Sequence, residues 1–216
     1  MNLEMKQLTI GIAILILLAS FAAYFNVTSN AAAKPIRVAC VGDSITEGSG
    51  YPFKLHQLLG PDYTVGNFGV SGSTVSLNSK KPYMNESKFQ EAINFNPEIV
   101  IIMLGTNDAN LDVTPNDYNF EADYRQLITS FQNNTDDLQI FVLRAPPIFD
   151  NNANYNKTYL SSTVIPHIDN LTTQMNLPKV DIYSVLNQSE YFMDGVHPNS
   201  EGATLIAESV YDTMIS

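Results

Sequence analysis

In the stretch Ile36-Arg37-Val38-Ala39-Cys40-Val41-Gly42-Asp43-Ser44-Ile45-Thr46, a short apolar run gives way abruptly to glycine, aspartate and serine. The first half suits a strand covered on both faces. The second half suits a turn into a helix, with Asp43 able to cap it. A strand leading straight into a helix is the unit of an alternating α/β chain, and the alternation continues downstream. Apolar runs at Tyr63–Asn67, Ile99–Leu104, Gln139–Leu143 and Lys179–Tyr183 read as four more strands.

Helical spacing fills the intervals. Tyr51, Leu55, Leu58 and Leu59 form one apolar face, ended by Gly60-Pro61. Phe120, Tyr124, Leu127, Ile128 and Phe131 form another. Leu160, Val164, Ile168, Leu171 and Met175 form a third, with Pro166 a kink or restart inside it. Ala203, Ile206, Ala207, Val210 and Met214 form the last. The expected fold class is therefore α/β: a three-layer α/β/α sandwich around a five-stranded parallel sheet. The length beyond residue 33 suits one domain with a proper core.

Sites in such sheets lie beyond the carboxyl ends of the strands. Ser44, Gly69 and Asn107 each fall just past a strand end, and Asp194 and His197 fall in the loop before the last helix. The five are thus expected on one rim. A serine hydroxyl needs a positioned base to take its proton, and that base works best when a third group orients it. Of the three histidines, His56 and His167 lie in helix-like segments, which leaves His197 as the candidate base. Thr46 rules out a Gly-x-Ser-x-Gly nucleophile elbow.

Four segments carry a resemblance: Gly42-Asp43-Ser44-Ile45-Thr46, Asn67-Phe68-Gly69-Val70-Ser71-Gly72, Gly105-Thr106-Asn107-Asp108 and Asp194-Gly195-Val196-His197-Pro198. In this order and spacing the chain resembles the SGNH (GDSL-type) hydrolase family from about Ile36 onward. Its nearest flavour is that of the sialate O-acetylesterase-like and carbohydrate-esterase-like members. The resemblance implies a flavodoxin-like strand order. It also implies roles: Ser44 as nucleophile, His197 as general base and then acid, and Asp194 as the group that orients His197. The backbone N–H groups of Ser44 and Gly69 and the side-chain amide of Asn107 would form an oxyanion hole. Each segment alone also fits a structural turn or cap; their order is what the structural readings leave unexplained. Asp43 and Asp108 are expected to be structural hydrogen-bonders.

Composition narrows the partners. The net charge of −11 lacks the basic footprint of a nucleic-acid binder. The single cysteine, Cys40, cannot form an intramolecular disulfide and is expected as a buried apolar residue. No metal spacing and no phosphate loop is present, so neither metal nor organic cofactor is expected. Asp150, Asn152 and Asn154 imitate the start of a calcium loop, but Tyr155 and Ser161 occupy its glycine and glutamate positions. Arg144 could meet a substrate or form a structural ion pair.

Leu8–Phe25 is an almost unbroken apolar run, and no charge lies between Lys6 and Lys34. Its length falls between a signal-peptide core and a membrane-spanning helix, and Ala31-Ala32-Ala33 offers a cleavage site. Residues 1–33 are therefore expected as a signal peptide or membrane anchor plus linker, and 34–216 as the hydrolase domain. The catalytic unit would be secreted or held outside the cytoplasm, with residues 8–25 a membrane tether if retained. Six N-x-[Ser/Thr] acceptors, at Asn26, Asn85, Asn133, Asn156, Asn170 and Asn187, lean the same way.

The expected activity is hydrolysis of acetyl or other short-acyl esters on a glycan or small molecule. A lysophospholipase or thioesterase on the same scaffold, and a non-catalytic glycan-binding protein, are the alternatives.

Overall fold

A computed structural model of the chain describes residues 14–21, 34–110, 112–113, 119–135, 137–149 and 154–216. The chain separates into two units, Met1–Lys34 and Pro35–Ser216. Of the first, a helical stretch at 14–21 is described. Among the described residues no helix is long and apolar enough to cross a membrane. The rest of the apolar run and Ala31–Ala33 lie outside the described residues.

The second unit is built on five parallel strands: β1 (Ile36–Gly42), β2 (Tyr63–Gly69), β3 (Ile99–Met103), β4 (Gln139–Leu143) and β5 (Lys179–Val180). Their order in the sheet is β2-β1-β3-β4-β5. β3 is buried along its whole length, because alternate residues serve cores on opposite faces of the sheet. Val100 and Ile102 join one core with Phe89, Phe120, Leu127 and Ile168. Ile101 and Met103 join the other with Tyr51, Leu55, Ile206 and Val210.

The helices are α1 (Ser44–Gly48), α2 (Tyr51–Leu59), α3 (Ser87–Asn94), α4 (Phe120–Gln132), α5 (Lys157–Tyr159), α6 (Ile165–Met175), α7 (Ile182–Val185) and α8 (Ser200–Ile215). The expected face of α4 is buried throughout. Between α5 and α6 the chain makes a π turn, Leu160–Val164. α6 then restarts with Pro166 in its first turn, where the missing N–H costs nothing.

Two expectations need correction. The last strand was expected to reach Tyr183 but stops at Val180, because Asp181 accepts the Ser184 N–H and caps α7. Helix α3 was not among the expected elements: it is short, with only Phe89 and Ala92 buried, and its apolar repeat is too brief to read.

Candidate active site

Ser44 begins α1 directly after β1. Asp43 makes that turn possible, since its Oδ1 accepts the Ile45 N–H at 2.9 Å. The Ser44 hydroxyl is thereby fixed at the carboxyl edge of β1, an interior strand of the sheet. Its Oγ lies 3.0 Å from Nε2 of His197, although the two residues stand 153 positions apart.

His197 is held by the loop that contains it. Asp194 Oδ1 accepts the N–H groups of Val196 at 3.0 Å and His197 at 2.7 Å, while Oδ2 lies 2.7 Å from His197 Nδ1. A carboxylate only accepts, so Nδ1 carries the proton and Nε2 faces Ser44 as an acceptor. Burial alone would raise the Asp194 pKa. The His197 backbone N–H, the His197 ring and the Val196 N–H outweigh it and hold the carboxyl below its ordinary value. The loop is tied to the segment that follows β4 by Phe149, whose N–H donates to Gly195 C=O at 2.9 Å.

Asn107 opens a 3₁₀ turn, Asn107–Ala109, beyond β3 and is almost wholly buried. Its Nδ2 donates to Ser73 C=O at 3.0 Å, and its Oδ1 accepts the Tyr155 hydroxyl at 3.0 Å. Asp108 clamps the neighbouring loop by accepting the Val75 and Ser76 N–H groups, each at 3.0 Å.

Gly69 has a different set of engagements from those expected of an oxyanion donor. Its N–H donates to Asn67 Oδ1 at 3.0 Å. A Cβ on it would lie 2.3 Å from the Glu47 backbone nitrogen, so the close approach it permits is that of β2 to α1. Three residues on, Gly72 takes φ +77°, and its N–H has no hydrogen-bond partner among the described residues. That loop is tied to α1 by Glu47, which accepts both the N–H and the hydroxyl of Ser71. The engagement of Gly69 could not be foreseen, because it depends on where the Asn67 side chain points.

Of the remaining candidates, His56 is exposed on α2, and His167 pairs its Nδ1 with Glu121 at 2.6 Å. Arg144 makes a structural network, bonded to Asp169 through Nε and Nη2 and to Asp181 through Nη1. Asp150 and Asn152 lie outside the described residues. Cys40 is fully buried, and that burial pushes its thiol up to about 12.

Burial also pushes the Asp43 carboxyl up to about 7; the Ile45 N–H opposes the rise, Asp108 adds to it and His197 opposes it. Its Oδ2 is buried without a hydrogen-bond partner among the described residues. An acid raised from 3.8 to about 7 holds its proton in the folded chain after the unfolded chain has lost it. The stability this contributes is complete below 3.8 and is lost as pH rises through about 7. Asp43→Asn is expected to remove that fall, so the melting temperatures of parent and variant should diverge across this window. Parallel profiles would show that Asp43 titrates normally.

A family model described as the GDSL-like Lipase/Acylhydrolase family matches residues 40–205. An acetylxylan esterase from Xylanibacter ruminicola is 32% identical over 205 residues; the chain spans only 42% of that relative's length, with 81% of the chain aligned. A solved carbohydrate acetylesterase from Sinorhizobium meliloti superposes with a TM-score of 0.70 at 18% identity, covering 83% of this chain and 98% of its own. A solved aryl esterase from M. smegmatis does so with a TM-score of 0.63 at 20% identity, again over 83% and 98%. At such identities the structural likeness speaks to the fold alone.

Proposed function

The chain belongs to the GDSL-like lipase/acylhydrolase family, and from that premise we propose that it is a serine esterase removing acetyl or another short acyl group from a carbohydrate. The observation that carries the reading is the hydrogen-bonded series Ser44 Oγ, His197 Nε2, His197 Nδ1, Asp194 Oδ2, with contacts of 3.0 and 2.7 Å. The substrate class is supported by the acetylxylan esterase relative.

Ser44 Oγ attacks the acyl carbonyl as its proton passes to His197 Nε2. The C=O electron pair moves onto oxygen, and the charge is met by neutral donors. These are the Ser44 N–H, the Asn107 amide and the Gly72 N–H, which has no partner among the described residues, since the Gly69 N–H is already engaged. Asp194 stabilises the imidazolium so formed. The ester C–O bond then breaks, and His197 returns its proton to the departing alcohol. Water repeats the sequence on the acyl-Ser44 ester and frees the acid.

Asn107→Ala is expected to lower kcat by about 10²- to 10³-fold, the usual loss for one oxyanion donor. A variant as fast as the parent would remove Asn107 from this role. The reading as a whole is tested by hydrolysis of p-nitrophenyl esters from acetate to palmitate. A maximum at acetate supports a deacetylase, and a maximum at long chains moves the activity to lipids.

The apolar run Leu8–Phe25 supports a catalytic unit working outside the cytoplasm. Fractionation of the producing cells checks this, and activity confined to the cytosol would end it.

A further inference from the structure

The Asn107 amide is the one proposed oxyanion donor that is a side chain, so its orientation has to be held by its surroundings. Ser73 C=O can only accept, so the group facing it is Nδ2, and Oδ1 faces Tyr155. A carbonyl oxygen cannot donate in return, so the Tyr155 hydroxyl is the donor in that 3.0 Å contact. Among the described residues no other group bonds Asn107 Oδ1.

We infer that Tyr155 is a positioning residue for the oxyanion donor, its hydroxyl holding the Asn107 amide in the orientation that leaves an N–H free for the reacting carbonyl. The inference rests on the ester-hydrolase reading of this site. Three features support it. A hydrogen bond received at Oδ1 polarises the amide and strengthens its N–H as a donor. Asn107 is only 4% exposed, so losing the phenol would leave a buried acceptor unsatisfied and the amide free to turn. And Tyr155 is fastened to the turn it serves, because the next residue, Asn156, donates its N–H to Ala109 C=O at 2.9 Å. Asn156 then caps α5 by accepting the Tyr159 N–H at 2.9 Å, fixing the chain on the other side. Burial, reinforced by the carboxyl groups of Asp43 and Asp194, raises the phenol's pKa above its ordinary value, which favours the protonated, donating form.

The test is a double-mutant cycle on p-nitrophenyl acetate with melting temperatures measured in parallel. Tyr155→Phe keeps the ring and deletes only the hydroxyl. It is expected to lower kcat by about 3- to 10-fold, the worth of one neutral hydrogen bond, with KM within about twofold of the parent. Combined with Asn107→Ala, it should lower kcat no further, because the residue it acts through is gone. Full kcat in Tyr155→Phe beside a slow Asn107→Ala overturns the inference alone. So does a double variant whose losses multiply, since Tyr155 would then act independently of Asn107. An Asn107→Ala enzyme as fast as the parent removes the underlying oxyanion reading, and the inference falls with it.

Discussion

Ser44→Ala is expected to lower kcat by about 10⁵-fold or more, the scale seen when a serine nucleophile is deleted, with the melting temperature unchanged. The chemistry is lost because, among the described residues, no other hydroxyl is hydrogen-bonded to His197 Nε2. The fold is kept because Ser44 sits at the first position of α1, where alanine is a good helix former, and because the cap there belongs to Asp43. A variant retaining more than about a hundredth of the parental kcat would remove Ser44 from the nucleophile's role, whatever its stability.

Asp194→Asn is the second large effect, and its size follows from how the carboxylate is bonded. Oδ1 accepts two backbone N–H groups, from Val196 and His197. Only oxygen can fill that position, so an asparagine there must turn its NH₂ toward His197 Nδ1. Nδ1 then has to accept, and the ring proton moves to Nε2, the atom that faces Ser44. The base is thereby presented in the wrong tautomer, and kcat should fall by about 10⁴-fold. Melting temperatures should barely move, since the loop's backbone contacts survive. Retention of more than about a tenth of the parental rate would mean that something other than Asp194 sets the tautomer.

How much of this was legible in the sequence depends on the range over which each feature is determined. β1 and β3 are buried on both faces and could be read from their apolar runs alone. β5 could not, because Asp181 ends it by a side-chain cap, while Val180 and Ile182 on either side keep the alternation of a strand. The placement of Ser44, Asn107 and His197 on one rim follows from strand polarity and was visible in advance. The engagement of Gly69 by Asn67 and of Asn107 by Tyr155 was not. Tyr155 lies 48 residues from Asn107 and carries no local pattern. In the sequence it looks like the misplaced sixth residue of a calcium loop, and only the fold brings its hydroxyl to the amide.

The 153-residue span between Ser44 and His197 has a consequence for how the protein is made. The nucleophile is synthesised early and its base late, and between them lie four of the five strands. Closing so long a loop carries a large entropic cost, so the contact is among the last that a folding chain can form. A partly assembled chain that has buried β1 and β3 and formed its helices still holds a serine with no base beside it. Recovery of ester turnover during refolding therefore reports that both ends of the sequence have met, which spectroscopic signals of collapse do not.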